Sequence, residues 1–153
     1  MGYVDQNLIT DETVTYRAQL HWILFITPIL IATLIDAVAA LILVYVGGFE
    51  AVAVGMMVVS VTPVFVAFIE RSGAEFAVTN KRVILKTGVI NKKTAEMFLN
   101  KIESVGVDQS VMGRILGYGT ITIRGTGGTL EPFDRISSPL EFRRQIQEQV
   151  GKL

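Results

Sequence analysis

The stretch WILFITPILIATLIDAVAALILVYV, residues 22–46, holds 25 residues with one ionisable side chain, Asp36. A helix of this length crosses a hydrocarbon core of about 30 Å with some tilt. A second uncharged stretch, residues 51–69, follows a four-residue link and is also long enough to span. Because backbone polar groups in lipid must be satisfied within a helix, the sequence predicts a transmembrane helical hairpin in residues 21–70.

The charge distribution supports this hairpin and predicts its orientation. Half of the 153 residues are hydrophobic and 18% are charged, below the roughly 25% of soluble domains. Lys and Arg number 14, as do Asp and Glu, but Arg17 is the single base before residue 71. The link between the spans has no base, so the positive-inside rule predicts a multi-pass protein of the cell (inner) membrane with both termini cytoplasmic.

The residues at the ends of the first stretch give two smaller expectations. His21, Trp22 and Tyr45 fall near span ends, where we expect their rings to anchor at the membrane interface. The residues before the stretch include Asp5 and Asp11, which fit a cleaved signal peptide poorly, so we expect no cleavage.

Asp36 needs an explanation, because an aspartate at the bilayer centre costs about 3 kcal/mol even on the gentler insertion scales. We therefore expect it to be protonated, paired, or both. Folding the helices back on the link places it level with Ser60 and Thr62, which we predict as polar contacts within the hairpin or across subunits. The alternative is a small transporter or channel subunit that uses Asp36, although an ion pathway would need further ionisable groups in the spans.

Beyond Gly73 the pattern changes to short alternating stretches bounded by turn residues, which is typical of an antiparallel β domain. A short helical turn is predicted within residues 110–116. The predicted connections are Asn80-Lys81, residues 91–93 and Gly127-Gly128. The predicted strands are residues 74–78, 82–86, 94–99, 102–107, 119–124 and 130–133.

The chain closes with a predicted amphipathic helix, residues 139–150. Ser138-Pro139-Leu140-Glu141 matches a capping box with proline at the first helical position. Phe142, Ile146 and Val150 follow at four-residue spacing on one apolar face. We expect this face to cover an open end of the sheets, while Arg143, Arg144, Gln147 and Glu148 face water.

Three segments carry a resemblance to a known family: TNKRVIL (79–85), KIESVGVDQS (101–110) and GRILGYGTITIRGTGG (113–128). In this order they resemble the bacterial pleckstrin-homology-like (bacterial PH) domain family, membrane-anchored type. The resemblance implies an α+β fold: a two-helix transmembrane hairpin plus a PH-like antiparallel β sandwich or half-barrel with a C-terminal capping helix. It also implies that residues 14–20 supply the first strand of the domain in residues 74–153, because ETVTYRAQLHW (12–22) resembles the family's entry segment.

Five basic side chains form the candidate binding site for lipid or a partner. Two turns are expected to bring them together, and an anionic leaflet attracts each nearby base by roughly 1 kcal/mol. The alternative is that these charges only keep the turns soluble. The residues are Lys81, Arg82, Lys86, Lys92 and Lys93.

Catalysis and metal binding find little support in the sequence. Without cysteine, disulfides, thiolate metal sites and Cys-His nucleophiles are excluded. The one histidine, His21, is expected at the membrane interface, so we expect no Ser-His arrangement. We expect no cofactor, and no nucleic acid partner because the bases lack interleaved aromatic residues. The sequence favours a noncatalytic membrane-anchored scaffold that forms a homo-oligomer or binds protein partners at the cytoplasmic face. The alternative function is an anionic-lipid-binding, membrane-sensing module.

Overall fold

A computed structural model describes residues 2–89, 92–129 and 132–153. The chain divides into two compact units. One unit is the apolar pair of helices, Trp22–Ser72, and the other joins the residues up to His21 with Gly73–Leu153. The elements in chain order are α1 (Tyr3–Gln6), β1 (Val14–Ala18), α2 (Ile26–Tyr45), α3 (Glu50–Gly73), β2 (Glu75–Thr79), β3 (Arg82–Thr87), β4 (Lys93–Phe98), β5 (Ile102–Asp108), α4 (Val111–Leu116), β6 (Tyr118–Gly125), β7 (Gly128–Thr129), β8 (Phe133–Ser137) and α5 (Pro139–Val150).

The apolar unit contains the two predicted helices, both long and apolar enough to cross a membrane. A short 3-10 turn, Trp22–Phe25, leads into α2, and α3 continues four residues past the predicted end. The guanidinium of Arg71 lies 5.9 Å from the ring centroid of Phe25, within range of a cation–π contact. The residues that α3 buries are Ala53, Ser60 and Ala67, a seven-residue repeat of small side chains that permits close helix packing.

The first sheet of the β unit has the antiparallel order β1-β2-β3-β4. Side chains on both of its faces are buried, because β2 and β3 are nearly continuous apolar runs. Phe76 lies on the inner face, with its ring 6.1 Å from that of Phe133 in the second sheet. Ala77 and Ile84 lie on the outer face and pack with Val4 of α1.

In the second sheet, β6 pairs with β5, β7 and β8. The first strand, predicted from the resemblance, is confirmed and continues to a bridge between Leu20 and Ile136 of β8. Backbone hydrogen bonds join the same segments, from His21 N to Arg135 O at 2.7 Å and from Ser137 N to Gln19 O at 2.9 Å. The two sheets remain open elsewhere, so the fold is the expected α+β, PH-like sandwich.

The predicted strand at residues 130–133 overlaps β8 at Phe133, and Pro132 lies outside any strand. Leu130 and Glu131 lie outside the described residues, and β8 begins only at Phe133. A register shift in the pairing of β6 with β8 lets Phe133 and Ile136, three residues apart, both be buried. That spacing breaks the two-residue alternation from which strands are predicted.

The closing helix is confirmed, but its predicted cap is wrong. Ser138 has a left-handed backbone (φ 49°) and makes no side-chain capping bond. Glu141 instead accepts hydrogen bonds from Arg144 at 2.7 Å and Gln145 at 2.9 Å on the helix surface. Phe142 and Ile146 are fully buried as predicted.

Candidate interaction site

The five predicted basic residues do not form one cluster. Consecutive turns of an antiparallel sheet lie at opposite ends of the strand between them, and β3 separates the turn at Asn80-Lys81 from the turn before Lys93. Five steps along a strand separate Arg82 from Thr87 by roughly 17 Å. The expectation that two turns bring the bases together is therefore wrong.

Arg82 is a buried structural residue. Its guanidinium donates to both carboxylate oxygens of Glu12, from Nε at 3.0 Å and from Nη2 at 3.1 Å. It also donates to Glu96 at 2.5 Å and to the carbonyl of Asn7 at 2.5 Å. With Thr79 donating to Glu12 at 2.8 Å, these contacts form a closed network that leaves Arg82 little capacity for an external anion.

The ionisation of Glu12 reflects this network. Burial acts to raise its pKa, but hydrogen bonds from Arg82, the Ile9 amide and Thr79 outweigh burial, so the pKa lies below its usual value. The pKa of Arg82 is raised, chiefly by its hydrogen bond to Glu12. Both groups are therefore charged at neutral pH.

Lys86 is also engaged within the domain. Its Nζ lies 3.4 Å from Glu75 and 5.1 Å from the ring centroid of Tyr3. Glu75 accepts the amides of Tyr3 at 2.7 Å and Val4 at 3.0 Å, which holds the start of α1 against the sheet. Burial acts to raise the pKa of Glu75, but these amides and Lys86 lower it overall.

The remaining three bases are more accessible. Lys81 donates to the carbonyl of Thr10 at 2.5 Å, so its charge is directed at the N-terminal segment. Lys92 and Lys93 are exposed at the start of β4. A binding role for the predicted set stays a prediction, and exposure makes Lys92 the member most open to a ligand.

The N-terminal strap, residues 2–13, is a feature that sequence reasoning missed. It crosses the outer face of the first sheet and is held by Glu12, Glu75 and Asn80. Asn80 accepts the Thr13 amide at 2.9 Å and donates to the Asp11 carbonyl at 3.0 Å. The uninterrupted apolar runs of β2 and β3 could have indicated that a segment covers this face. A strand that is buried on both faces lacks the alternation of polar and apolar residues.

Asp36, Ser60 and Thr62, the predicted polar contacts of the two apolar helices, are not hydrogen-bonded to one another among the described residues. One carboxylate oxygen of Asp36 is buried without a hydrogen-bond partner among the described residues. Ser60 is buried and donates to the carbonyl of Met57 at 2.7 Å, while Thr62 is exposed. A partner for Asp36 from a second subunit stays a prediction.

His21 belongs to the β unit, contrary to the expectation of an interfacial anchor. It is buried, and its ring centroid lies 5.2 Å from that of Tyr118. Trp22, the next residue, is about half exposed and begins the apolar unit. The ring of His21 therefore packs within the β unit.

A polar groove of about 500 Å³ opens beside the start of β6. Its lining includes Asp108, Tyr118, Asp134 and Arg135, and Asp134 accepts a hydrogen bond from Thr120 at 2.8 Å. Among the described residues, no three His, Asp or Glu side chains converge as a metal site.

The described sheets have edge strands at β4 and β5. In the described sheets β4 pairs only with β3, and β5 pairs only with β6. Most side chains of β4 are exposed, including Phe98 at 50%. An edge strand with unpaired backbone groups is a surface onto which another chain can add a strand.

Comparison with known proteins agrees with this architecture. The sequence model described as "Bacterial PH domain" matches residues 23–150, which include both apolar helices and every strand after β1. Comparisons with curated proteins and with solved structures found no match. The match extends over most of the chain, and the chain therefore belongs to the bacterial PH domain family.

Proposed function

We propose that this protein is a noncatalytic, membrane-anchored scaffold whose PH-like domain self-assembles or binds a protein partner at the cytoplasmic face of the membrane. The hairpin of α2 and α3 is the anchor, and the basic excess after residue 71 supports the cytoplasmic placement of the domain. PH domains in general are interaction modules, which agrees with a role that needs no catalytic group.

The observation that carries this proposal is the open edge of the first sheet at β4. Natural sheets normally protect an edge with charges, proline or a covering segment. Here Lys93 and Glu96 supply charge, but Phe98 exposes half of its surface at the end of the strand. A partner strand pairing with β4 would satisfy the edge and bury that ring.

The lipid-binding alternative in its original form loses support from the internal contacts of Arg82 and Lys86. Both side chains are paired with carboxylates inside the domain. Lys92 and Lys93 are the members of the predicted set that are exposed to an anionic headgroup.

The direct experiment is the mass of the complex extracted in mild detergent. A monomer has a mass of 16.8 kDa. The proposal expects a multiple of this mass, or a complex containing a second protein in fixed ratio. A lone monomer from membranes that retain native lipid contradicts the proposal.

A further inference from the structure

Helix α4 presents three large apolar side chains to solvent. Val111 is 77% exposed, Met112 57% and Ile115 71%. A small domain rarely gathers such residues on one short element unless they meet an apolar partner. Arg114, on the same helix, is also exposed.

The backbone of α4 is firmly specified. Ser110 caps it by accepting the Gly113 amide at 3.0 Å, and Gly117 ends it in the left-handed region at φ 80°. Gly113 is required because a Cβ there would lie 2.7 Å from the carbonyl oxygen of Tyr118. The exposed apolar side chains therefore sit on a fixed element.

Hydrogen bonds and ring contacts place α4 at the end of the β unit where the chain leaves for the membrane. We call this the junction end, defined by His21 and Gly73. Tyr118, two residues after α4, has its ring 5.2 Å from that of His21. Gly117, which lies between α4 and Tyr118, accepts a hydrogen bond at 2.8 Å from the amide of Ser138.

The turn between β3 and β4 lies at the same end. Val89 packs so closely on Gly73 that a Cβ at residue 73 would collide with it, yet Val89 remains 44% exposed. Lys92 and Lys93 are exposed at the other side of this turn. The junction end thus combines exposed apolar side chains on two elements with exposed bases.

We propose that the junction end is a membrane-contact surface that rests on an anionic leaflet. Val111, Met112 and Ile115 enter the boundary between headgroups and acyl chains, as apolar faces of interfacial helices do. Arg114 and Lys92 contact lipid phosphates, with the stem of Arg114 covering apolar surface.

The covalent connection favours a bilayer over another occupant. His21 is bonded to Trp22, the first residue of the apolar unit, and Gly73 is the last residue of α3. This double tether keeps the junction end beside lipid at high effective concentration. The inference rests on the membrane anchorage in the proposed function, but it does not depend on the protein partner at β4.

Spin-label accessibility in the full chain tests this contact. The chain lacks cysteine, so Ile115→Cys and Val111→Cys each provide one labelling site. Each variant is reconstituted in liposomes of phosphatidylcholine with phosphatidylglycerol, and collision with oxygen is compared with collision with a water-soluble nickel chelate. Controls are Thr126→Cys, exposed in the turn before β7, and Leu34→Cys, exposed on α2.

For both α4 labels, the proposal expects the ratio of oxygen accessibility to nickel-chelate accessibility to be at least threefold higher than for the Thr126 label. It also expects Arg114→Glu with Lys92→Glu to shift the Ile115 label toward the aqueous value. An aqueous reading at both α4 positions overturns the proposal. Shielding from both reagents with spin–spin broadening also overturns it, because that result indicates contact with a second copy.

The Leu34 label separates this proposal from the anchorage beneath it. A lipid reading at Leu34 with an aqueous reading at Ile115 rejects membrane contact by α4 and leaves the scaffold intact. An aqueous reading at Leu34 rejects the anchorage and the contact together. Retention of the far-ultraviolet circular dichroism spectrum in each variant shows that the fold is preserved.

Discussion

Arg82 and Glu12 form a bidentate, buried ion pair between residues 70 positions apart in the sequence. The intervening chain contains both apolar helices, so this contact closes the β unit around an insertion. The side chain of Glu12 has no exposed surface and that of Arg82 is 10% exposed. The pair therefore fixes the strap on the sheet rather than serving as a ligand site.

Removing one member of this pair should destabilise the β unit. Glu12→Gln leaves a buried guanidinium short of its main counter-charge, and we expect the free energy of unfolding to fall by about 3 kcal/mol. Urea unfolding of the full chain in nanodiscs, followed by circular dichroism, measures this change. Arg17→Gln is the control, because its ion pair with Asp5 is exposed and should contribute little. Equal losses in both variants would show that the buried network has no special role.

Stability of the β unit should fall in acid. Glu12 and Glu75 have folded-state pKa values below their ordinary value of 4.5, so they bind protons more readily when unfolded. Their contribution is fully present above that ordinary pKa and is lost as pH falls through the lower folded values. Unfolding at a series of pH values from about 6 to about 3 should show this loss. The double variant Glu12→Gln, Glu75→Gln should show a smaller pH dependence, and an unchanged slope would contradict the assignment.

Phe98→Glu should weaken the complex formed through β4. A buried interface aromatic typically contributes about 2 kcal/mol or more, so we expect at least roughly tenfold weaker association. Dilution of the detergent-extracted complex, followed by mass measurement, reports the change. Thr126→Glu places the same charge in the exposed turn between β6 and β7 and should leave the complex intact. If both variants dissociate equally, β4 is not the interface.

Asp36 should contribute to self-assembly of the hairpin. Its buried oxygen lacks a partner in the part of the chain that the structure describes, and an interhelical hydrogen bond in a membrane contributes about 0.6 kcal/mol on average. We expect Asp36→Leu to weaken association two- to fivefold and Asp36→Asn to retain more of the association. Energy transfer between labelled chains in liposomes measures both. Thr62→Val tests the other predicted contact in the same assay, because Thr62 is exposed within one chain and is open to a second subunit. Full association of Asp36→Leu would assign Asp36 no role in assembly.

The parts of the fold that follow from periodicity could be predicted from the sequence. Long uncharged stretches predicted α2 and α3, and alternation with turn residues predicted β2 to β6 to within a few residues. The capping of α5 was wrong because Ser138 adopts a left-handed backbone that a sequence pattern does not reveal. Residues 134–137 of β8 were not predicted as strand because a register irregularity hides the alternation of side chains.

The candidate site was harder to predict because charge alone does not indicate burial. Arg82 and Lys92 are both bases next to turns, yet one is buried with two carboxylates and the other is exposed. The partner of Arg82 lies in the strap, whose position depends on contacts across 70 residues. The separation of the two basic turns, in contrast, could have been predicted from the sequence. Consecutive turns in an antiparallel sheet lie at opposite ends of the strand between them, here β3.

The orientation of the chain is tested most directly by thiol labelling of intact cells. Single variants Phe49→Cys, in the link between the helices, and Lys92→Cys, exposed before β4, each carry the only thiol in the chain. A membrane-impermeant maleimide applied from outside should label residue 49 at once and residue 92 only after the membrane is permeabilised. Labelling of residue 92 in intact cells would place the PH-like domain outside and contradict a cytoplasmic scaffold.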